Sequence, residues 1–232
     1  MRLFIPITII VIFSTAFLVM GCSDESTSDP SSIAGATAKL QAAQSAPTPD
    51  DGLVHIHLYV EDVHRDSAIG SGTPLYEKRE HNPILAPDGH QVTLGEFDAA
   101  TGRATVKCIH KGTHVVVHFS KLIPKGVYSV WVLTFKSPGF DPTFANLVGS
   151  GALGDPDGSK STFKASASGE GQISAIVPGG PLSSMGTIGD CALTDEFEFH
   201  VVGIYHIDGK TYGGSPGPSG TYVEQIGFIF RQ

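Results

Sequence analysis

Histidine is the residue type in this chain best placed to do chemistry: there are ten among 232 residues. In His55-Ile56-His57 two imidazoles lie on one side of a strand, because side chains alternate with a period of two. Neighbouring same-face side chains stand about 6.5–7 Å apart and can converge on Zn²⁺ or Cu²⁺. His114 and His118 also share a strand face, about 13 Å apart at β rise. His200 and His206 lie together on the outward face of another strand. His55, His57, His114, His118 and His200 are thus the candidate ligands of a copper or zinc site, provided different strands bring them together. The plainer reading is scattered strand histidines and no cofactor.

A His-x-His pair on a strand of a β protein resembles the Cu,Zn superoxide dismutases. The resemblance stops there, because no further ligand and no active-site loop matches, so that activity is not expected. Asp155-Pro156-Asp157-Gly158-Ser159 resembles the start of a calcium loop. However, Lys160 and Ser166 stand where glycine and an acidic residue belong, so the segment also suits an ordinary turn. There is no Gly-x-Ser-x-Gly elbow, no His-Glu-x-x-His and no phosphate-cradling loop. Two long connections remain, and long loops in compact domains are often functional. Ser137 to Gly154 carries Phe140 and Phe144. Gly209 to Gly220 is bordered by Lys210, Tyr212 and Tyr222 and reads as mobile. These five side chains are the candidate contacts for a ligand.

The elements that must position these groups are strands. Leu53–Val60, Gln91–Asp98, Arg103–His110, Thr113–Lys121, Val127–Phe135, Thr162–Ala167, Gln172–Val177, Glu196–His206 and Tyr222–Phe230 are mostly rich in β-branched and aromatic residues and bounded by turn formers. Thr101-Gly102, Lys111-Gly112 and Gly169-Glu170-Gly171 read as tight hairpin connections. Alternation sends Val115, Val117 and Phe119 inward, with Ala104, Val106 and Cys108, and with Phe197, Phe199, Val201, Gly203 and Tyr205. Val127–Phe135 is apolar on both faces, as a central strand should be. The expected fold is all-β, an antiparallel sandwich of Greek-key or jelly-roll type with about nine strands and little helix. Charged residues interrupt the apolar faces, which excludes a transmembrane barrel.

Residues 51–232 make one domain of ordinary size. Residues 22–50 read as a flexible tether, since Ile33 and Leu40 are the large aliphatics among Ser, Thr, Ala, Gln, Pro and Asp after residue 22. At the N-terminus Arg2 precedes the apolar run Leu3–Met20, and Val19-Met20-Gly21-Cys22 follows the pattern aliphatic, variable, small, cysteine. This resembles the signal peptide and lipobox of bacterial lipoproteins. A membrane span is the alternative, but Pro6, Ser14 and Thr15 weaken it and acidic rather than basic residues follow. The resemblance implies removal of residues 1–21 and acylation of Cys22, which anchors the chain to a membrane of the bacterial cell envelope. Ser23 is not the aspartate that retains many lipoproteins at the inner membrane, so an outer-membrane address is implied in a Gram-negative cell, with surface exposure as a further option.

Without Arg2 the chain carries 14 basic against 23 acidic residues, a net charge of −9. That charge argues against nucleic acid and against electrostatic docking on anionic lipid. With Cys22 given to lipid, an exported chain most simply joins Cys108 to Cys191 in a disulfide; a thiol nucleophile or metal ligand is the alternative. No catalytic signature stands out. The expected role is a lipid-anchored, non-enzymatic binding module for a protein or small-molecule ligand. A copper- or zinc-binding sandwich or metalloenzyme and a purely structural envelope module are the other readings.

Overall fold

The computed structural model describes residues 55–57, 70–136 and 145–231, all within the compact unit Gln41–Gln232. The signal segment 1–21, Cys22, the tether 22–50, Phe140, Phe144 and the side chains of His55 and His57 lie outside the described residues.

The strands in chain order are β1 (His55–His57), β2 (Thr101–Ile109), β3 (Gly112–Ser120), β4 (Val127–Phe135), β5 (Leu147–Ala152), β6 (Thr162–Lys164), β7 (Gly171–Val177), β8 (Gly180–Pro181), β9 (Met185–Ile188), β10 (Glu198–His206) and β11 (Tyr222–Arg231). Eight form one sheet in the order β1-β11-β10-β4-β5-β9-β8, with β6 also pairing β4. Strands β2, β3 and β7 form the second sheet. Every pairing is antiparallel. The fold is an all-β sandwich, as expected, with eleven strands among the described residues.

One apolar cluster joins the two sheets. Ala104, Val106, Val115, Val117, Phe119, Ile173, Ala175 and Val177 come from the small sheet; Tyr128, Val130, Val132, Phe199, Val201, Tyr205, Phe228 and Phe230 come from the large one. Burying each Val, Ile or Phe contributes about 1.5–3 kcal/mol. Gly112 closes the two-residue β2–β3 hairpin at φ 130°, and a β-carbon there would lie 2.2 Å from the Val177 carbonyl oxygen.

Several expectations are corrected. Gln91–Asp98 is not a strand. Residues 94–98 form helix α1 (Leu94–Asp98), capped by Thr93. Thr93 Oγ1 accepts the Glu96 N–H, and the Glu96 carboxylate accepts the Thr93 N–H. Thr93-x-x-Glu96 is a capping box, which outweighs the local β propensity. The Ser137–Gly154 connection ends in β5, whose Gly149 and Gly151 let residues 182–187 approach closely. Thr101-Gly102 is strand rather than turn. The Gly169–Gly171 turn is tight, but β6 and β7 on either side of it belong to different sheets. Phe197 precedes β10 and is exposed. Cys108 lies at the exposed end of β2.

Cys108 and Cys191 are joined, with Cα atoms 5.2 Å apart and 83 positions apart in sequence. The bond fastens the end of β2 to the start of the short helix α2 (Ala192–Asp195), whose Ala192 N–H donates to Thr113 Oγ1 at 2.8 Å. Replacing both cysteines by serine is expected to lower the unfolding free energy by about 2–4 kcal/mol in urea titration while keeping the β circular dichroism spectrum. An unchanged midpoint would contradict the stabilising role. Thr93→Ala is expected to cost about 1 kcal/mol in the same assay.

Candidate functional site

The outer face of the large sheet carries the buried polar groups. Phe199 and Val201 of β10 point into the main core, so Glu198 and His200 point the other way. Both are nonetheless fully buried. Glu198 accepts from Arg231 Nε at 2.7 Å and, through its other oxygen, from His200 Nε2. The Phe135 ring lies 4.5 Å from the imidazole, tilted by 40°. The register explains the set: Glu198 faces Arg231 on β11 and Phe135 on β4. Burial pushes the His200 pKa down, against the opposing pull of the Glu198 hydrogen bond.

At the other end of β10, His206 Nε2 lies 2.8 Å from Ser129 Oγ, which also receives the Trp131 indole N–H at 3.0 Å. The serine oxygen keeps a second lone pair, so this hydrogen bond runs either way with the histidine tautomer, and the other ring nitrogen is Nδ1. That Nδ1 is buried with no hydrogen-bond partner. Desolvation depresses the His206 pKa, partly offset by the nearby Asp208 charge. A serine hydroxyl donating to a histidine nitrogen is the nucleophile–base arrangement of covalent catalysis. Here Ser129 is 3 % exposed and His206 1 % exposed, so the pair is closed off from a substrate. Neither Ser129 nor the capping signal at Thr93 was singled out from sequence. A serine inside the apolar run 127–135 was the available hint.

The Gly209–Gly220 connection is folded down through turns and side-chain contacts. Asp208 accepts the Lys210 N–H at 3.1 Å and the Tyr212 hydroxyl. Tyr212 bridges to Ser215, and its ring centroid lies 6.2 Å from that of His206. Tyr222 packs on the second apolar cluster of Trp131, Ala152, Val202 and Ile204. Its hydroxyl accepts from Arg79 at 2.6 Å, and the guanidinium lies 5.1 Å from its ring centroid. Tyr212 and Tyr222 therefore cover the outer face, and Lys210 stands exposed beside them. Asp155 is paired with Lys160 at 2.8 Å, as an ordinary turn would have it.

Of the candidate metal ligands whose side chains are described, His114 and His118 do not meet His200. His114 and His118 stand on the outer face of the small sheet, while His200 stands on the outer face of the large sheet, at the opposite side of the sandwich. Backbone register places His55 opposite Ile229, which is itself opposite His200. Among the described residues no group of three or more His, Cys, Asp or Glu is arranged to hold a metal ion. No helix among them is long and apolar enough to cross a membrane.

The outer face of the small sheet is the opposite case. Arg103 pairs with His118 and Gln172 across β2, β3 and β7, and Lys107 pairs with His114 and Ile176. Arg103, Lys107, His118, Gln172 and Ile176 are all exposed. The net negative charge conceals this segregation. Between Asp98 and Asp141 the chain carries Arg103, Lys107, Lys111, Lys121, Lys125 and Lys136 and no acidic residue.

The buried histidines make stability pH-dependent. Their pKa values fall on folding, so below about 6.5 the unfolded chain binds protons that the folded chain does not. Stability is full above that value and is lost as the pH falls through it, by at most about 1.4 kcal/mol per pH unit for each group. Exposed His90 acts weakly in the opposite sense, since the Asp88 hydrogen bond raises its pKa. Urea titrations from pH 7.5 to 5 check the sign, and His206→Phe should flatten the slope. Glu198→Ala leaves Arg231 and His200 without their carboxylate and is expected to cost about 3–5 kcal/mol; a loss below about 1 kcal/mol would refute the structural role. In comparison with known proteins, the chain matches no family model, no curated protein and no solved structure, so the geometry carries the functional reading by itself.

Proposed function

We propose that this chain is a lipid-anchored protein of the bacterial cell envelope whose β-sandwich is a non-enzymatic binding module. The contrast between the two outer faces carries the binding half of the reading. A catalytic group must touch its substrate; of the two serine–histidine pairs among the described residues, Ser129–His206 lies beneath the surface, and His114–Ser174, 2.9 Å apart on the exposed face of the small sheet, has no carboxylate hydrogen-bonded to its imidazole. A binding module needs a surface left uncovered, and β2, β3 and β7 present one. The anchor half rests on the lipobox-like Val19-Met20-Gly21-Cys22, since two or three acyl chains hold a domain stably at a bilayer. The Cys108–Cys191 bond accords with it, because disulfides persist in oxidising compartments outside the cytosol.

Expression of the full chain in a bacterial host fed labelled palmitate tests the anchor. Label should enter the protein in the membrane fraction, and Cys22→Ala should abolish labelling and release the chain. Labelling that persists in the variant would sink the anchor. Metal analysis of untagged protein tests the binding module against its rival. Copper or zinc at one per chain, lost on His55→Ala, would replace it with a metal-binding function.

A further inference from the structure

The uncovered face of β2, β3 and β7 has a chemistry of its own. Arg103 and Lys107 point outward from β2, about 13 Å apart at four residues of β rise, and Lys111 extends from the hairpin tip. Among the described residues no ion pair involves Arg103, Lys107 or Lys111. At its rim the Glu170 carboxylate is engaged by Ser120 Oγ at 2.8 Å. Ile109 and Ile176 are 40 % and 37 % exposed on the same face. No Phe, Tyr or Trp stands there to stack on a sugar ring.

We propose that this face docks on the anionic phospholipid headgroups of the membrane that holds the chain, a proposal that rests on the lipid-anchored reading above. Arg103, Lys107 and Lys111 follow one strand, β2, and its hairpin tip, and two features favour a lipid surface over an acidic carbohydrate chain there. The exposed isoleucines suit the edge of a hydrocarbon layer and not a hydrated polymer. Cys22 is separated from the domain by 28 residues, 23–50, few enough to keep the face at high effective concentration beside the bilayer once Cys22 is acylated. The acidic surplus elsewhere does not prevent docking, because screening cuts off charge effects beyond about 8 Å at physiological salt.

The test uses residues 22–232 with Cys22→Ser, a fragment that keeps the whole core from Leu75 to Phe230. Binding is measured by co-sedimentation with vesicles of mixed phosphatidylglycerol and phosphatidylcholine, and of phosphatidylcholine alone. The expected result is binding to the anionic vesicles only, lost in about 0.5 M salt. Removing one cation should weaken binding about fivefold, and the double charge reversal Arg103→Glu with Lys107→Glu by roughly 25-fold or more. Lys78→Glu should change nothing, since its neighbour Arg79 lies over Tyr222 on the opposite side of the sandwich. Thermal unfolding of each variant confirms that the fold is kept. Absence of binding to anionic vesicles, or equal effects of Lys78→Glu and the double variant, overturns the proposal. So does binding of dextran sulfate by a protein that leaves the vesicles alone, which would give the face to a soluble polyanion. Because this assay omits the acyl group, its failure is distinct from failure of palmitate labelling at Cys22.

Discussion

Every residue of β10 is buried, on both faces of the strand. The rest of the sandwich answers to that constraint. Phe199, Val201 and Tyr205 fill the core between the sheets, which forces Glu198, His200 and His206 to the other side. An unpaired polar group without water costs about 1–3 kcal/mol, and a charge costs more. The partners must therefore come from the flanking strands, and the register supplies them. Arg231 lies directly across from Glu198, and Ser129 is opposite Ile204, diagonal to His206. A one-residue slip would turn the carboxylate into the apolar core and the aromatic rings outward. Polar and apolar patterns thus select the same register.

The irregularity between β10 and β11 serves the same end. Pairing skips a residue between Gly203 and Ile204, and the residue left over on β11 is Gln225. Its side chain is fully buried, accepting from Tyr128 at 2.6 Å and donating to the Phe97 carbonyl at 3.0 Å. Tyr128 in turn accepts the Ile123 N–H at 2.9 Å. One bulged residue therefore ties α1 and the β3–β4 connection to the central sheet. The buried amide is tolerable because both its ends are satisfied.

Alternation made most of this legible beforehand. The strands β2, β3, β7, β10 and β11 carry core residues at a period of two, and the inward faces of β2 and β3 follow from it. Two limits of that signal explain the misses. Strand β5 is Leu-Val-Gly-Ser-Gly-Ala; its glycines serve close packing and erase the β-branched signature. Alternation also assigns sides within a strand without naming the sheet or saying what covers it. His114, His118 and His200 all read as outward, yet the first two stand on the uncovered sheet and the third lies buried across the sandwich. The same limit applies to Tyr212 and Tyr222, which the sequence places beside a long loop and the structure lays over the outer face.

Charge needs the same distinction between an average and a placement. Asp and Glu of the described residues lie largely at helix starts and in turns, as with Glu96, Asp157 and Asp208, where their oxygens accept backbone N–H groups. Arg103 and Lys107 instead occupy a strand whose alternate positions, Ala104 and Val106, belong to the core. Their direction is fixed by that packing: if Val106 is inside, Lys107 is outside. The β2–β3 hairpin then brings His114 and His118 opposite them on the same face, since cross-strand partners share a side. The basic face is a geometric consequence of how the core is built. An acidic chain acquires a cationic surface without any excess of Lys or Arg, because its acids go to the turns and its cations go to strands whose other face is buried.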